Sequence, residues 1–385
     1  MLAALCVTQV VSWGVLYYAL PVALSSITTD TGWSASAVTA AFSAGLVVSA
    51  LAGVPVGRWL DRYGPRPVMT AGSALAVPAT VGIALAPGFG WFIAAWLVAG
   101  AAMSAVFYQA AFAALTRWYG PARVSALTRL TLVAGLSSTI FAPLVHLLLD
   151  HLGWRATYLV LALVLAVVTI PLHALALTPP WIPATPERRA TDPTAGVRVR
   201  AVVGSPAFLL LSGALTLTAF GMYCASLTLI PLLTGRGMSA SLAATTLGLL
   251  GAGQLLGRIG YVPLTARTTP AARTVVIVAA SALAVALLAV VPGPTVLLVV
   301  LAVFAGAVRG TATLLQATVV ADRWGSARYG ALSGWFAAPI TAAAALAPWA
   351  GTALAQGLGG YPAMFGILAV VVLAAAGLAG FSARG

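Results

Sequence analysis

Long apolar runs, separated by short polar or Gly/Pro-rich segments, make up almost all of this 385-residue chain. A helix needs about 20 predominantly apolar residues to cross a lipid bilayer, and the chain contains twelve runs of about that length. They cover residues 2–24, 36–57, 68–87, 90–115, 125–148, 155–178, 206–233, 240–264, 274–292, 295–320, 329–354 and 361–382. The pattern predicts an all-α membrane protein with twelve transmembrane helices.

The longest hydrophilic segment, 179–205, divides the predicted helices into two sets of six. It is rich in proline and contains Glu187, the only glutamate of the chain. We expect a six-helix bundle over 1–178, a cytoplasmic linker over 179–205 and a second six-helix bundle over 206–385. The first run lacks a basic leader and a clear cleavage site, which favours a retained span over a signal peptide.

Composition supports a membrane protein and excludes soluble classes. Hydrophobic residues make up 61% of the chain and charged residues 6%, whereas soluble domains carry about 25% charged residues. Too few charges remain to cover the surface of a soluble enzyme or a disordered protein. The net charge of +13 comes from arginines, most of them in short loops between apolar runs, so it predicts contact with a lipid bilayer and not with nucleic acid. Cys6 and Cys224 both lie inside apolar runs, where packing is expected and not a disulfide.

The distribution of arginine predicts the orientation in the membrane. With a cytoplasmic N-terminus, the inner loops contain fourteen arginines and the outer loops contain Arg155 and Arg236. The inner set is Arg58, Arg62, Arg66, Arg117, Arg123, Arg188, Arg189, Arg198, Arg200, Arg267, Arg273, Arg323, Arg328 and Arg384. Cytoplasmic loops carry the excess of basic residues. Both termini are therefore expected in the cytoplasm of a multi-pass cell-membrane protein.

The two halves of the sequence repeat at an offset of about 205 residues. Arg62 then falls on Arg267 and Arg123 on Arg328, and with a one-residue gap Gly100 falls on Gly306. These positions lie in equivalent loops and helix ends. The agreement predicts two pseudo-symmetric bundles.

The loop after the second run, GRWLDRYGPR over residues 57–66, resembles the major facilitator signature G-x-x-x-D-R-x-G-x-R. Gly57 permits close helix approach, and Gly64 permits the turn. Asp61 offers a carboxylate to a helix N-terminus or to an arginine, while Arg62 and Arg66 hold the loop at the cytoplasmic face. The resemblance implies the major facilitator fold, with two parallel six-helix repeats and a substrate site between them.

The same resemblance implies a conformational latch. In similar transporters, the acid at the Asp61 position pairs with a span-eleven helix end and with an arginine after span four, a position that Arg117 fits. Pro21, Gly32-Trp33-Ser34 and Gly153-Trp154-Arg155 are similar to the monocarboxylate porter and oxalate/formate antiporter branch. The likeness covers most of the N-terminal half. The glycine- and proline-rich run of many drug exporters is not evident in span five.

Arg309, near the middle of span ten, is the first candidate for substrate binding. An arginine there costs roughly 2.5–3.5 kcal/mol on insertion scales, and intramembrane ionisable residues are functional candidates. Thr313 and Gln316 follow on the same helix face, and the resemblance implies that spans one, four, seven and ten line the central cavity. A structural arginine, bonded to carbonyls or stacked on an aromatic ring, is the alternative.

Arg258 in span eight is the second candidate. It matches the span-eight arginine that binds the substrate carboxylate in monocarboxylate porters. Proton-coupled members often have an aspartate four residues earlier, where this chain has Gln254. Snorkelling to the inner face is the alternative for Arg258. Weaker candidates for substrate contact are Tyr17, Tyr108 and Tyr223.

All six acidic residues lie in loops or at helix ends, and none lies in the middle of a predicted span. The inner acids are Asp61, Glu187, Asp192 and Asp322, and the outer acids are Asp30 and Asp150. A buried cation needs a partner, so the substrate itself is the expected anion. The same pattern argues against export of cationic drugs.

These observations predict a secondary transporter that moves a small, monocarboxylate-like organic anion by alternating access. Anion exchange is favoured over proton symport, because no mid-membrane carboxylate is present to carry a proton. The alternatives are an exporter of a neutral or amphipathic compound and a membrane-bound sensor. We expect a monomer with no enzymatic activity, no cofactor and no metal site, since the chain contains no Walker loop and no metal-ligand cluster.

Overall fold

In the computed structural model, residues 1–181 and 199–382 are described, and their regular structure is entirely helical. Side chains of Ala240 and Pro348 are outside the description. Glu187 and Asp192, and most of the predicted linker, likewise lie outside the described residues. The helices before the linker are α1 (Leu2–Trp13), α2 (Ala19–Thr31), α3 (Ala35–Tyr63), α4 (Pro65–Ala84), α5 (Phe89–Val106), α6 (Tyr108–Tyr119), α7 (Arg123–Ala134), α8 (Ser137–Val164) and α9 (Ile170–Ala176).

The helices after the linker are α10 (Val199–Val203), α11 (Pro206–Leu227), α12 (Leu229–Thr234), α13 (Ala240–Arg267), α14 (Pro270–Val290), α15 (Thr295–Trp324), α16 (Tyr329–Gly357) and α17 (Tyr361–Phe381). Two wider π-helical turns, Gly14–Tyr18 and Leu165–Thr169, join α1 to α2 and α8 to α9.

Ten helical segments among the described residues are long and apolar enough to cross a membrane. This confirms an all-α membrane protein. One segment, Phe89–Ala176, is 88 residues long, far beyond the about 20 residues of one crossing. Its backbone is non-helical at Phe107 and left-handed at Gly120 and Gly153. The predicted spans 90–115, 125–148 and 155–178 all fall inside it, and the number twelve stays a prediction.

Polar residues cap several helices at the points where the apolar runs begin. The hydroxyl groups of Ser34, Ser205, Ser239 and Thr269 accept backbone N–H groups at 3.2–3.3 Å at the starts of α3, α11, α13 and α14. Such caps satisfy N–H groups that have no partner within the helix. Between α3 and α4 the chain turns at Gly64, with φ of +84°, a conformation that glycine adopts without a steric penalty.

The described residues form two compact units. The first contains residues 1–181 and Trp324–Ala338, and the second contains residues 199–323 and 339–382. The core of the first unit includes the fully buried Trp96, Phe92 and Tyr158, and that of the second includes Phe365 and Met364. The first turns of α16 thus belong to the first unit. The boundaries 1–178, 179–205 and 206–385 stay a prediction.

Glycine contacts between helices recur at the offset of the sequence repeat. In the first unit, a Cβ at Gly100 of α5 would collide with the carbonyl oxygen of Gly45 in α3; in the second, one at Gly306 of α15 would collide with the carbonyl oxygen of Leu250 in α13. Gly45 and Leu250 are 205 residues apart along the chain, and Gly100 and Gly306 are 206 residues apart. The corresponding helix pair of each unit therefore crosses at the same point.

Arg273 is not a loop residue, contrary to the sequence interpretation, whereas Asp322 lies at a helix end as expected. Arg273 lies in α14 and Asp322 in the last turn of α15, because both helices extend beyond the apolar runs. Their side chains form an ion pair and are only 5% and 8% exposed. Nearby, the Tyr261 hydroxyl lies 2.6 Å from the Thr318 hydroxyl. The second unit therefore contains a buried ion pair near one helix end.

Candidate substrate and latch sites

Arg309 and Tyr223 contact each other directly in the second unit. The guanidinium carbon of Arg309, in α15, lies 4.2 Å from the centroid of the Tyr223 ring, in α11. Both side chains are half-buried. Such a cation–π contact stabilises the charge, but the ring carries no full negative charge. Within residues 1–181 and 199–382, no carboxylate forms an ion pair with Arg309. The alternative interpretation, an arginine stacked on a ring, thus describes the contact that the structure has.

Thr313 and Gln316 lie on the Arg309 face of α15, four and seven residues further along. The Thr313 hydroxyl donates a 3.0 Å hydrogen bond to the carbonyl oxygen of Arg309. Both side chains are half-buried. They extend a polar strip along the helix from the guanidinium.

Close packing of α13 on α15 determines where Gln254 and Arg258 lie. A Cβ at Gly257 would collide with the carbonyl oxygen of Ala307, and one at Gly310 would collide with that of Gln254. The two backbones meet here because small residues line both helices. Gln254 therefore lies against the residue that follows Arg309. Arg258 lies one turn further along α13 and is 7% exposed.

Tyr17 and Tyr108 are brought together in the first unit by Trp13. The ring centroid of Trp13 lies 5.3 Å from that of Tyr17 and 5.0 Å from that of Tyr108. The Trp13 ring also stacks on Phe107, with centroids 4.1 Å apart and planes 8° apart. We call Trp13, Tyr17, Phe107 and Tyr108 the aromatic cluster.

Asp61 binds the start of α16 within the first unit. Its carboxylate oxygens accept backbone N–H groups from Gly330 at 3.0 Å and from Ala331 at 2.8 Å. Arg117 and Arg328 add favourable electrostatic attraction to this carboxylate. A helix N-terminus attracts anions, because its first N–H groups are unpaired and its dipole is positive there.

Gly57 and Gly330 allow the two helices to meet at this point. A Cβ at Gly57 would collide with the Gly330 carbonyl oxygen, and one at Gly330 would lie 2.8 Å from Asp61 Oδ1. In the adjoining turn, Arg66 Nε donates a 2.7 Å hydrogen bond to the carbonyl oxygen of Ala174. The Arg62 guanidinium lies 5.1 Å from the centroid of the Tyr63 ring.

Trp181 lies against the residues of the candidate latch. Its ring centroid lies 4.3 Å from the Arg117 guanidinium carbon, and its Nε1 donates a 3.2 Å hydrogen bond to the carbonyl oxygen of Asp61. A Cβ at Gly64 would lie 2.7 Å from the Trp181 ring. Arg117, which the resemblance implies lies beside Asp61, therefore also contacts a residue from the start of the predicted linker.

Three residues beyond those that the sequence singles out contribute to these sites: Trp13, Phe107 and Trp181. Trp13 lies four residues before Tyr17, on the same helix face, and that spacing is the signal that could have found it, whereas its stacking partner Phe107 gives no sequence signal. Trp181 falls in the predicted linker, where an isolated tryptophan beside prolines is the available signal. Among the described residues no group of His, Cys, Asp or Glu could hold a metal ion.

The apolar helices and the contact of Asp61 with the start of a later helix agree with the signature that the loop over residues 57–66 resembles. A family model for the Major Facilitator Superfamily matches residues 5–295. The chain therefore belongs to the Major Facilitator Superfamily.

Three relatives match parts of the chain. Human monocarboxylate transporter 11 is 28% identical over 232 residues, which cover 54% of this chain and 46% of the relative. Bovine monocarboxylate transporter 13 is 28% identical over 212 residues, covering 54% and 47%. The fujikurins efflux protein of Gibberella fujikuroi is 26% identical over 213 residues, covering 53% and 43%. The chain thus spans about half the length of the curated relatives it matches, and two of them confirm the likeness to the monocarboxylate branch.

Solved structures share the fold over nearly the whole chain. The fucose:proton symporter of E. coli superposes with a TM-score of 0.73 at 15% identity, covering 99% of this chain and 98% of the symporter. The human organic anion transporter MFSD10 superposes with a TM-score of 0.71 at 20% identity, covering 98% and 97%. At these identities the likeness establishes the fold.

Proposed function

We propose that this transporter moves a small organic anion of the monocarboxylate type by alternating access. The observation that carries the proposal is Arg309, a half-buried cation in the interior of a membrane-spanning helix, whose contact is the Tyr223 ring and not an acid. A charge in such a position needs a counter-ion. A substrate carboxylate supplies it, with the Thr313 hydroxyl and the Gln316 amide as neighbouring polar groups.

Arg258 and Gln254 support the same proposal. Arg258 is buried on a helix that packs tightly against α15, and arginine is suited to bidentate carboxylate binding. The likeness to monocarboxylate transporters 11 and 13 adds support for the substrate class. Tyr17, Tyr108 and Tyr223 are proposed as additional substrate contacts.

The experiment is uptake of radiolabelled monocarboxylates by proteoliposomes that contain the purified full chain. Arg309→Gln and Arg258→Gln should each abolish uptake while thermal unfolding shows a folded protein. Arg129→Gln is the matched control, because Arg129 is exposed on α7, and it should retain wild-type uptake. Wild-type rates in both test variants would contradict an anion site at these arginines.

We further propose that transport is an exchange of anions. Without bound substrate, Arg309 lacks an anion to stabilise its charge and contacts the Tyr223 ring, so reorientation of the empty carrier should be slow. Preloading vesicles with unlabelled substrate, with no pH gradient, should accelerate uptake of labelled substrate. Uptake that requires an inward proton gradient and ignores preloading would reject exchange.

A second candidate function is export of a neutral or amphipathic compound. The 26% identity to the fujikurins efflux protein favours it. Under this function, Arg309→Gln would leave transport intact, which distinguishes it from the anion proposal.

For the membrane topology we propose twelve helices in two six-helix bundles, with both termini in the cytoplasm, in a monomer of the cell membrane. The left-handed Gly120 and Gly153 support separate crossings within Phe89–Ala176. The excess of inner arginines supports the orientation. Cysteine labelling from each side of the membrane tests it, with Ser205→Cys expected to react from the inside and Ser239→Cys from the outside.

A further inference from the structure

Two irregular helices meet at the aromatic cluster of the first unit. Between α1 and α2, residues Gly14–Tyr18 form a π-helical turn that contains Tyr17. Between α5 and α6 the helix breaks at Phe107, whose ψ is −173°. Single π-helical turns occur frequently at functional sites, and interrupted helices form the substrate sites of many transporters.

The break at Phe107 is stabilised from α1. Gln9 Nε2 donates a 2.6 Å hydrogen bond to the carbonyl oxygen of Val106, and the Trp13 ring one turn later stacks on Phe107. Non-helical backbone at membrane depth is tolerated where it is buried in protein or lines a cavity. The two irregularities are therefore one structural feature, with Trp13 at its centre.

The aromatic cluster differs from the aromatic core of the same unit. Trp96, Phe92 and Tyr158 are fully buried, whereas Trp13 and Tyr17 are half-buried. Within the described part of the chain, Trp13 Nε1, Gln9 Oε1 and Ser12 Oγ have no hydrogen-bond partner. Buried polar groups are nearly always paired. A half-buried ring surface with unused hydrogen-bonding groups on the same helix is suited to a ligand.

From this geometry we infer that the aromatic cluster is the subsite for a planar apolar group, so that the transported anion is an aryl carboxylate and not a short aliphatic acid. The inference rests on the proposed anion transport and specifies its substrate class. Aromatic rings favour offset-stacked and edge-to-face neighbours, and the cluster offers both a stacked pair and an edge-on ring. None of its four side chains is charged, so it can select the apolar part of a substrate and not its carboxylate.

Ligand-induced thermal stabilisation of the purified full chain tests the inference, because a ligand that binds the folded state raises its stability. The probes are benzoate, cyclohexanecarboxylate and acetate. Cyclohexanecarboxylate is matched to benzoate in size but is not planar, and acetate supplies the carboxylate alone. We expect benzoate to bind at least tenfold more tightly than acetate and about fivefold more tightly than cyclohexanecarboxylate, because stacking of planar rings is favourable beyond their burial.

Variants then assign the preference to the cluster. Trp13→Leu should remove the benzoate preference while acetate binding stays within twofold, and Trp13→Phe, which preserves a ring, should remove part of it. Should Trp13→Leu fail to fold, Trp13→Phe carries the test. Trp349→Leu is the matched control, since the Trp349 side chain is 73% exposed, and it should change nothing.

The outcomes separate the two proposals. Equal binding of all three carboxylates, abolished by Arg309→Gln, would overturn the aryl subsite and leave anion transport standing. Unchanged benzoate preference in Trp13→Phe and Trp13→Leu would also overturn the subsite. Absence of carboxylate binding, or binding that Arg309→Gln leaves unchanged, would instead contradict the anion proposal itself.

Discussion

The Asp61 carboxylate accepts a 2.8 Å hydrogen bond from the backbone N–H of Ala331, 270 residues further along the chain. Ala331 is the third residue of α16, and Gly330 donates a second N–H to the same carboxylate at 3.0 Å. The first N–H groups of a helix have no partner within it. One carboxylate therefore replaces the missing partners of two N–H groups, and it also neutralises the positive end of the helix.

Asp61→Asn should weaken this contact, because an amide oxygen is uncharged and the amide nitrogen cannot accept an N–H. Hydrogen bonds to a charged group are worth about 1.5–3 kcal/mol. Ser333 is buried one turn into α16, so Ser333→Cys can report the opening of this contact. Cys6 and Cys224 are replaced by alanine, so that only the introduced cysteine reacts. We expect its labelling from the inner side to accelerate about tenfold, corresponding to about 1.4 kcal/mol, and transport to slow.

Asp30→Asn is the control for that experiment. Asp30, in the last turn of α2, is likewise a hydrogen-bonded carboxylate, but its donor is Trp154 Nε1 of α8, at 2.9 Å. The Asp30→Asn control should leave the labelling of Ser333→Cys unchanged. Equal labelling in Asp61→Asn and in the parent would refute the latch while leaving the fold unaffected.

Gly57→Ala should destabilise the protein, because the new Cβ would collide with the Gly330 carbonyl oxygen. Overpacking of a tight contact costs about 1–3 kcal/mol. Gly377→Ala in α17 is the matched control, since no atom lies within 4 Å of its added Cβ and alanine favours a helix over glycine. Thermal unfolding in detergent should show a lower midpoint for Gly57→Ala and an equal or higher one for Gly377→Ala.

Trp181→Ala should open the latch from the linker side. It removes both the ring over Arg117 and the N–H donor to the Asp61 carbonyl oxygen. A cation–π contact is worth about 0.5–2 kcal/mol, so labelling of Ser333→Cys should increase about threefold or more. Trp181→Phe preserves a ring and should give an intermediate rate, and Trp349→Ala should give the parental rate. An unchanged rate in Trp181→Ala would exclude Trp181 from the latch.

The buried ion pair of Arg273 and Asp322 predicts that the losses of stability in the single variants do not add in the double variant. Each single variant, Arg273→Met or Asp322→Asn, leaves a charge without its ion-pair partner in a site under 10% exposed. Breaking such a pair costs about 3–5 kcal/mol. The double variant removes both charges and should recover much of the loss. Thermal unfolding measures all three, and additive losses in the double variant would contradict coupling of the pair.

The sequence determined the properties that depend on local composition. Apolar runs of about 20 residues predicted membrane helices, because a helix satisfies its backbone hydrogen bonds within the segment when no water is present. The motif over residues 57–66 predicted the family because its glycines and its acid lie at fixed spacings in one loop. The sequence predicted the ends of individual membrane crossings less well, because the backbone of Phe89–Ala176 continues through turns that the apolar pattern treats as boundaries.

Only the tertiary structure decided which distant residues meet. Asp61 lies against Ala331, Trp13 against Phe107, and Arg273 against Asp322. Such pairs depend on how closely helix backbones approach. For Asp61 and Ala331 that approach is permitted by Gly57 and Gly330, and only Gly57 belongs to the recognised motif, so the sequence does not show which helix it meets. For the same reason, the sequence identified Arg309 as a membrane-embedded cation but could not choose between an anion site and a ring beneath it. The fold supplied the ring of Tyr223, because α11 and α15 bring these two side chains into contact in the second unit.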